Sequence, residues 1–270
     1  MTVPTSKISP GFHEGPVGRD RAEPSYPTWL KVPRRRFNDV DCTPSILHET
    51  SRQSDRNPVG LPRHSSKSQG ELKLDLSKIA VIFVGYQNDY FSETGILRAV
   101  IEESDRTQNI LGKSLDIVGK LESTQTTLIQ TPIIFTPDYG ELVNPVGILK
   151  TIADVKAFQE GSSGSDVIPQ FLEYGDRIIT VPGKRGLNAF SNTELDAVLK
   201  RRKIERVVMA GAVTSICIDS TGRAAHERGY GVSVLSDCTA SRTPYEQEFY
   251  CENVFPLYAE VLSSQDFLDG

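Results

Sequence analysis

The chain has 270 residues, 38% hydrophobic and 24% charged, with a formal net charge of −5. That acidity, with no basic patch interleaved with aromatics, excludes a nucleic-acid binder, and no apolar run approaches the ~20 residues of a membrane span or forms a signal core at the N-terminus. Cys42, Cys217, Cys238 and Cys251 show neither metal-ligand spacing nor a disulfide framework, which points to a reducing, cytoplasmic setting.

In chain order, residues 1–70 are broken by prolines from Pro4 to Pro62, with scattered Ser and Arg and little apolar periodicity. Such a segment cannot bury enough surface to offset its ordering entropy, so it reads as largely disordered and contributing no core. Pro27–Pro33, which holds the only tryptophan, Trp29, reads first as an extended arm and alternatively as a segment that docks on the domain or a partner, and Arg34–Arg36 as a short basic cluster set against Asp39 and Asp41.

From residue 71 to 270 strands and helices alternate. Ile79–Val84, Pro132–Thr136, Arg177–Val181, Arg206–Ala210 and Gly231–Leu235 read as short buried strands. Helical patterns occupy 105–123, 166–174, 193–202, 216–228 and 245–262. This alternation predicts an α/β fold, a three-layer α/β/α sandwich of Rossmann-like type whose mostly parallel sheet is joined by right-handed crossovers. Tyr139–Gly164 is a long connection for a compact domain and so reads as functional, with Leu142, Val146, Ile148 and Leu149 walling a pocket or a subunit contact.

Val207–Gly229 carries the chemistry. The apolar run Val207–Ala210 suits a strand covered on both faces, Gly211 permits the turn, and the helical pattern starts at Ile216 and stops at Gly229. A cysteine in that first turn sits among unpaired backbone N–H groups at the positive end of the helix, which favours thiolate and offers donors to an oxyanion. Cys217 is therefore a candidate nucleophile; on this turn alone a small buried hydrophobe is the commoner reading of such a cysteine.

Gly211–Tyr230, followed by Val234–Ser241, resembles the nucleophile region of the isochorismatase-like cysteine hydrolases. Two further blocks match in order, Ala80–Phe91 with its Gln87-Asn-Asp-Tyr-Phe91 run and Val181–Leu195, so the resemblance covers about residues 75–265. It implies an α/β/α domain, a homo-oligomer, and an Asp, Lys and Cys acting together on a small carbonyl substrate. Cys217 matches the nucleophile and Lys184 the lysine, with the backbone N–H groups of Val213 and Cys217 as oxyanion donors and a cis peptide at Ala212–Val213. The aspartate, two residues before Gln87, is replaced by Gly85. True isochorismatases use that acid and dispense with the cysteine, so isochorismate is not the expected substrate.

The resemblance also supplies an expectation of no cofactor and no metal. Nicotinamidases of this family build a metal site on an Asp-x-His motif, which Phe135–Gly140 lacks, and His226 is the one histidine beyond the N-terminal segment. Asp89, Asp138 and Tyr86 stand as candidates for the missing acid/base; alternatively Lys184 and the helix terminus hold a thiolate unaided. The function expected is hydrolysis of a C–N amide bond through a thioester. The alternative, resting on Gly85, is a catalytically degenerate module that binds a small molecule or partner. Gly85→Asp separates two cases: a gain of up to ~10² if the place is vacant, a fall if another group has taken the role.

Overall fold

Ile79-Ala-Val-Ile-Phe-Val84 has no polar side chain, and it forms the first strand, β1 (Ile79–Val84), with every residue buried. The structure, a computed structural model, describes residues 75–270. The expectations for residues 1–70, including those for Trp29 and Arg34–Arg36, lie outside the described residues. After β1 come a single turn, α1 (Asn88–Phe91), then α2 (Arg98–Gln108), α3 (Ile110–Leu121), β2 (Thr127–Thr131), α4 (Gly147–Val155), α5 (Pro169–Leu172) and β3 (Ile178–Thr180). The second half runs α6 (Leu195–Arg201), β4 (Arg206–Ala212), α7 (Asp219–Glu227), β5 (Gly231–Ala240), α8 (Pro244–Phe249), β6 (Glu260–Leu262) and α9 (Ser264–Asp269).

The six strands form one parallel sheet in the order β3-β2-β1-β4-β5-β6. Its centre is β1 flanked by β2 and β4, in register Ala80 to Thr127 and Ala80 to Val207. Alternate residues of these strands, Ala80, Ile82 and Val84, pack with Val207 and Met209 against Leu195 and Leu199 of α6 and Ala224 and Ala225 of α7. Helices α2, α3 and α9 cover the opposite face, where Phe83 meets Tyr86 and Phe171 edge-on. Both faces are therefore apolar, as a parallel sheet requires, and the three-layer α/β/α sandwich is the observed fold. No helix among the described residues is long and apolar enough to cross a membrane.

The structure corrects several element expectations. The second strand lies at Thr127–Thr131, ahead of Pro132–Thr136, because Pro132 has no N–H to continue the ladder; Ile133 and Phe135 make only isolated bridges, to Lys184 and Gln159. The helix expected over 105–123 is two helices hinged at Asn109, whose left-handed backbone (φ 52°) an asparagine tolerates. The one expected over 245–262 stops at Phe249. A π-type turn (Tyr250–Val254) and a 3₁₀ turn carrying Pro256 follow, and then β6, a sixth strand beyond the five expected. The connection Tyr139–Gly164 contains a helix, α4.

Candidate functional site

Three chain segments meet at the carboxyl edge of the sheet, where open α/β folds bind ligands. The first leaves β1 at Gly85, whose φ of +76° turns the chain out of the strand. Gln87, fully buried, then staples the next layer: its Oε1 accepts the Ile133 N–H at 2.8 Å, and its Nε2 donates to the carbonyls of Ile133 and Ser165 at 2.9 and 2.7 Å. Asn88 and Asp89 continue the seam. Asn88 donates to the Ser163 carbonyl at 2.8 Å, and the Asp89 carboxylate accepts the Phe158 N–H at 2.6 Å. The Gln-Asn-Asp run is thus what holds the Tyr139–Gly164 connection over the site.

The second segment follows β3, where Gly183 (φ 97°) turns Lys184 inward. Lys184 is 1% exposed, and a buried ammonium requires partners. It donates to the Gly186 carbonyl and stands with Nζ 3.5 Å from Sγ of Cys217. The third segment follows β4. Ala212–Val213 is a cis peptide bond, and Thr214–Ile218 forms a π-type turn ahead of α7, so Cys217 precedes the α-helix instead of lying in its first turn. The Val213 carbonyl accepts from Ile216 at 3.0 Å and Ile218 at 3.2 Å, skipping the N–H of Cys217. Helix α8 clamps this turn through Gln247, which accepts from Thr214 at 2.7 Å, and through Glu246 on Ser215.

Gly85, Lys184 and Cys217 line one narrow cavity, with room for about one water molecule (about 10 Å³) as the chain is folded here. Its walls are otherwise Tyr90, Val84, Ile133 and Ala212, with Leu187 and Ile216, closed over by Ile148, Leu149 and Ile152 of α4. Of the four connection residues expected at a pocket, Ile148 and Leu149 are there; Leu142 is not among the lining residues and Val146 is 79% exposed.

None of the three candidate acid/base groups reaches this cavity. Tyr86 turns to the other face, sharing a 2.5 Å hydrogen bond with Ser114, and burial pushes its phenol well above the usual range. Asp89 is spent on Phe158; burial raises its carboxyl above the ordinary value, against the pull of the Phe158 and Ile96 N–H groups. Asp138 caps a surface turn, accepting from Thr136 at 2.8 Å and Gly140 at 3.1 Å, bonds that lower its carboxyl. His226 is exposed on α7 beside Tyr258. Cys238 is buried on β5, its thiol pushed up to about 12 by burial and Asp237. Among the described residues, no three His, Cys, Asp or Glu side chains are grouped to hold a metal ion. Sequence reasoning missed Tyr90 and Ile152. Tyr90 was visible only as a polar ring one turn after Gln87, and its direction depends on α1.

Position 85 is tightly enclosed. A Cβ there would stand 3.1 Å from the Ala212 carbonyl oxygen and 3.5 Å from the Tyr90 ring, at a positive φ. Gly85→Asp is therefore expected to cost ~1–2 kcal/mol of stability and to lower any hydrolytic rate by ~10-fold or more, the new carboxylate competing with the sulfur for Lys184. Thermal melts and rates of Gly85→Asp beside Gly85→Ala separate backbone strain from charge; a faster Gly85→Asp would show the place to be vacant.

A parallel α/β/α sandwich with a buried Cys–Lys pair at its carboxyl edge defines the class. Residues 79–266 match the isochorismatase domain, and the chain belongs to that family. It is 30% identical over 117 residues to the uncharacterized isochorismatase family protein YwoC of Bacillus subtilis, a match spanning 41% of this chain and only 60% of YwoC. It is 26% identical over 205 residues to the ureidoacrylate amidohydrolase RutB of an Enterobacter species, covering 71% of this chain and 88% of RutB. A cysteine hydrolase from Pseudomonas syringae pv. phaseolicola shares the fold, with a TM-score of 0.63 at 21% identity over 76% of this chain and 97% of that one.

Proposed function

We propose that this chain is a cysteine-dependent hydrolase of a small carbonyl substrate, an amide, acting through a thioester. The observation that carries the reading is the Lys184 ammonium 3.5 Å from the Cys217 sulfur, both buried, in a cavity at the carboxyl edge of the sheet. Cys217 attacks the carbonyl, the N–H groups of Val213 and Cys217 receive the oxyanion, and Lys184 supports the negative charge on sulfur. Gly85 stands in this proposal where the family resemblance implies an aspartate. The amidohydrolase RutB among the relatives supports a C–N bond as the target. The apolar wall from α4 favours a neutral substrate, and the narrow space requires α4 to move outward as one binds. A cytoplasmic homo-oligomer belongs to the same proposal; the exposed Phe249 and Leu257 support self-association, which light scattering measures.

Iodoacetamide at pH 7 tests the nucleophile. Among the cysteines of the described residues, Cys217 is expected to alkylate first, because burial pushes Cys238 up to about 12 and Cys251 to about 11. Lys184→Met, which keeps the length and removes the charge, is expected to slow that alkylation ~10-fold. One observation favours a second reading, a binding module without turnover: no carboxylate or imidazole lines the cavity among the described residues. A Cys217 no faster than Cys251, and indifferent to Lys184→Met, supports that reading.

A further inference from the structure

The buried tyrosines of this domain spend their hydroxyls on partners, with one exception. Tyr86 bonds Ser114, Tyr139 the Ala157 carbonyl at 2.8 Å and Tyr230 Asp196 at 2.9 Å. Tyr90 is 3% exposed, and its hydroxyl has no hydrogen-bond partner among the described residues. Tyr90 lines the cavity instead, with its ring 3.5 Å from where a side chain on residue 85 would begin. Beyond Lys184 and Cys217 it supplies the cavity's one further polar side chain among the described residues.

The ring is held in place. It packs at 5.1 Å on Phe158, whose N–H is fixed by Asp89, the residue next to Tyr90 in the chain. Burial and the neighbouring Cys217 and Asp89 raise this phenol well above its ordinary range, so it stays protonated at neutral pH.

We propose that Tyr90 is a catalytic residue, the proton donor to the leaving atom of the tetrahedral adduct on Cys217, from the cavity wall beside Gly85. The inference rests on the proposed cysteine hydrolase. The Cys217 thiolate adds to the substrate carbonyl. As the C–N bond of the adduct breaks, the nitrogen takes the Tyr90 proton and departs as a neutral amine, leaving a thioester and a phenolate. Water then adds to the thioester, its proton returning to Tyr90. Collapse of that second adduct breaks the C–S bond, releasing the carboxylic acid and restoring the thiolate.

Proton donation matters in proportion to how poorly the leaving group carries charge. Acylation is therefore measured with p-nitrophenyl acetate, whose leaving group departs as the anion, and 2,2,2-trifluoroethyl acetate, whose alkoxide needs a proton. Tyr90→Phe is expected to lose ~10²-fold with the trifluoroethyl ester and far less with the nitrophenyl ester. Because the missing hydroxyl bonds nothing in the folded chain, the variant keeps its fold, read as an unchanged rate of Cys217 alkylation by iodoacetamide. Equal losses with both esters, or none, overturn the tyrosine role alone, provided Cys217→Ala is inactive. A wild-type chain that turns over neither ester, or a Cys217→Ala variant that turns over both, overturns the hydrolase and the tyrosine role with it.

Discussion

Cys217→Ala is expected to abolish hydrolysis, lowering the rate by ~10⁴-fold or more, because no other thiol among the described residues lines the cavity. The cost to the fold is more instructive. Cys217 is 8% exposed and contributes little packing, but its sulfur is one of the two partners of the Lys184 ammonium. Removing it leaves a buried cation with the Gly186 carbonyl alone, which is expected to cost ~1–3 kcal/mol unless a water fills the vacated space. Cys217→Ser keeps a partner for Lys184 and should therefore be as inactive as Cys217→Ala yet melt closer to the wild-type chain. Hydrolysis surviving in both variants would sink the nucleophile. Equal melting temperatures for the two would show that the sulfur does not hold the ammonium.

How much of this was legible in the sequence depends on whether a feature is set by residue type or by direction. The central strands were legible because Ile79–Val84 and Val207–Ala210 are apolar runs that only a doubly covered strand accommodates. The edges were not. Glu260-Val-Leu262 is three residues long, and nothing local distinguishes it from the end of a helix until it pairs with Ser233–Leu235. The Cys–Lys pair was legible through the family resemblance, which matches Cys217 and Lys184 in two separate motifs. The acid/base candidates were chemically apt and wrongly aimed: Asp89 turns toward Phe158, Asp138 toward its own turn, and Tyr86 toward Ser114. Tyr90 carried no signal of that kind, since an unbonded hydroxyl is a property of packing.

Gly211→Ala is expected to produce the largest loss of stability of any single methyl added here, ~3 kcal/mol or more. Gly211 pairs with Val84 across β1 and β4 at the end of the register, with φ +125°. A Cβ on it would stand 2.0 Å from the Val84 carbonyl oxygen and 2.9 Å from the Val84 nitrogen. Those are backbone atoms of the central strand, so no side-chain rotation relieves the collision; the two strands must part. Gly229→Ala provides the comparison, since Gly229 also has a positive φ (+89°) but nothing within 4 Å of the added methyl. It should cost ~1 kcal/mol from backbone strain alone. For a domain of this size the difference corresponds to a melting temperature lower by roughly 4–8 °C in Gly211→Ala than in Gly229→Ala. Activity should separate the two more sharply, because parting β1 from β4 moves Gly85 and Tyr90 away from the turn that carries Cys217, whereas Gly229 lies at the far end of α7. Equal melting temperatures and equal rates in the two variants would mean that the close approach of the strands at Val84 and Gly211 does not hold the site together.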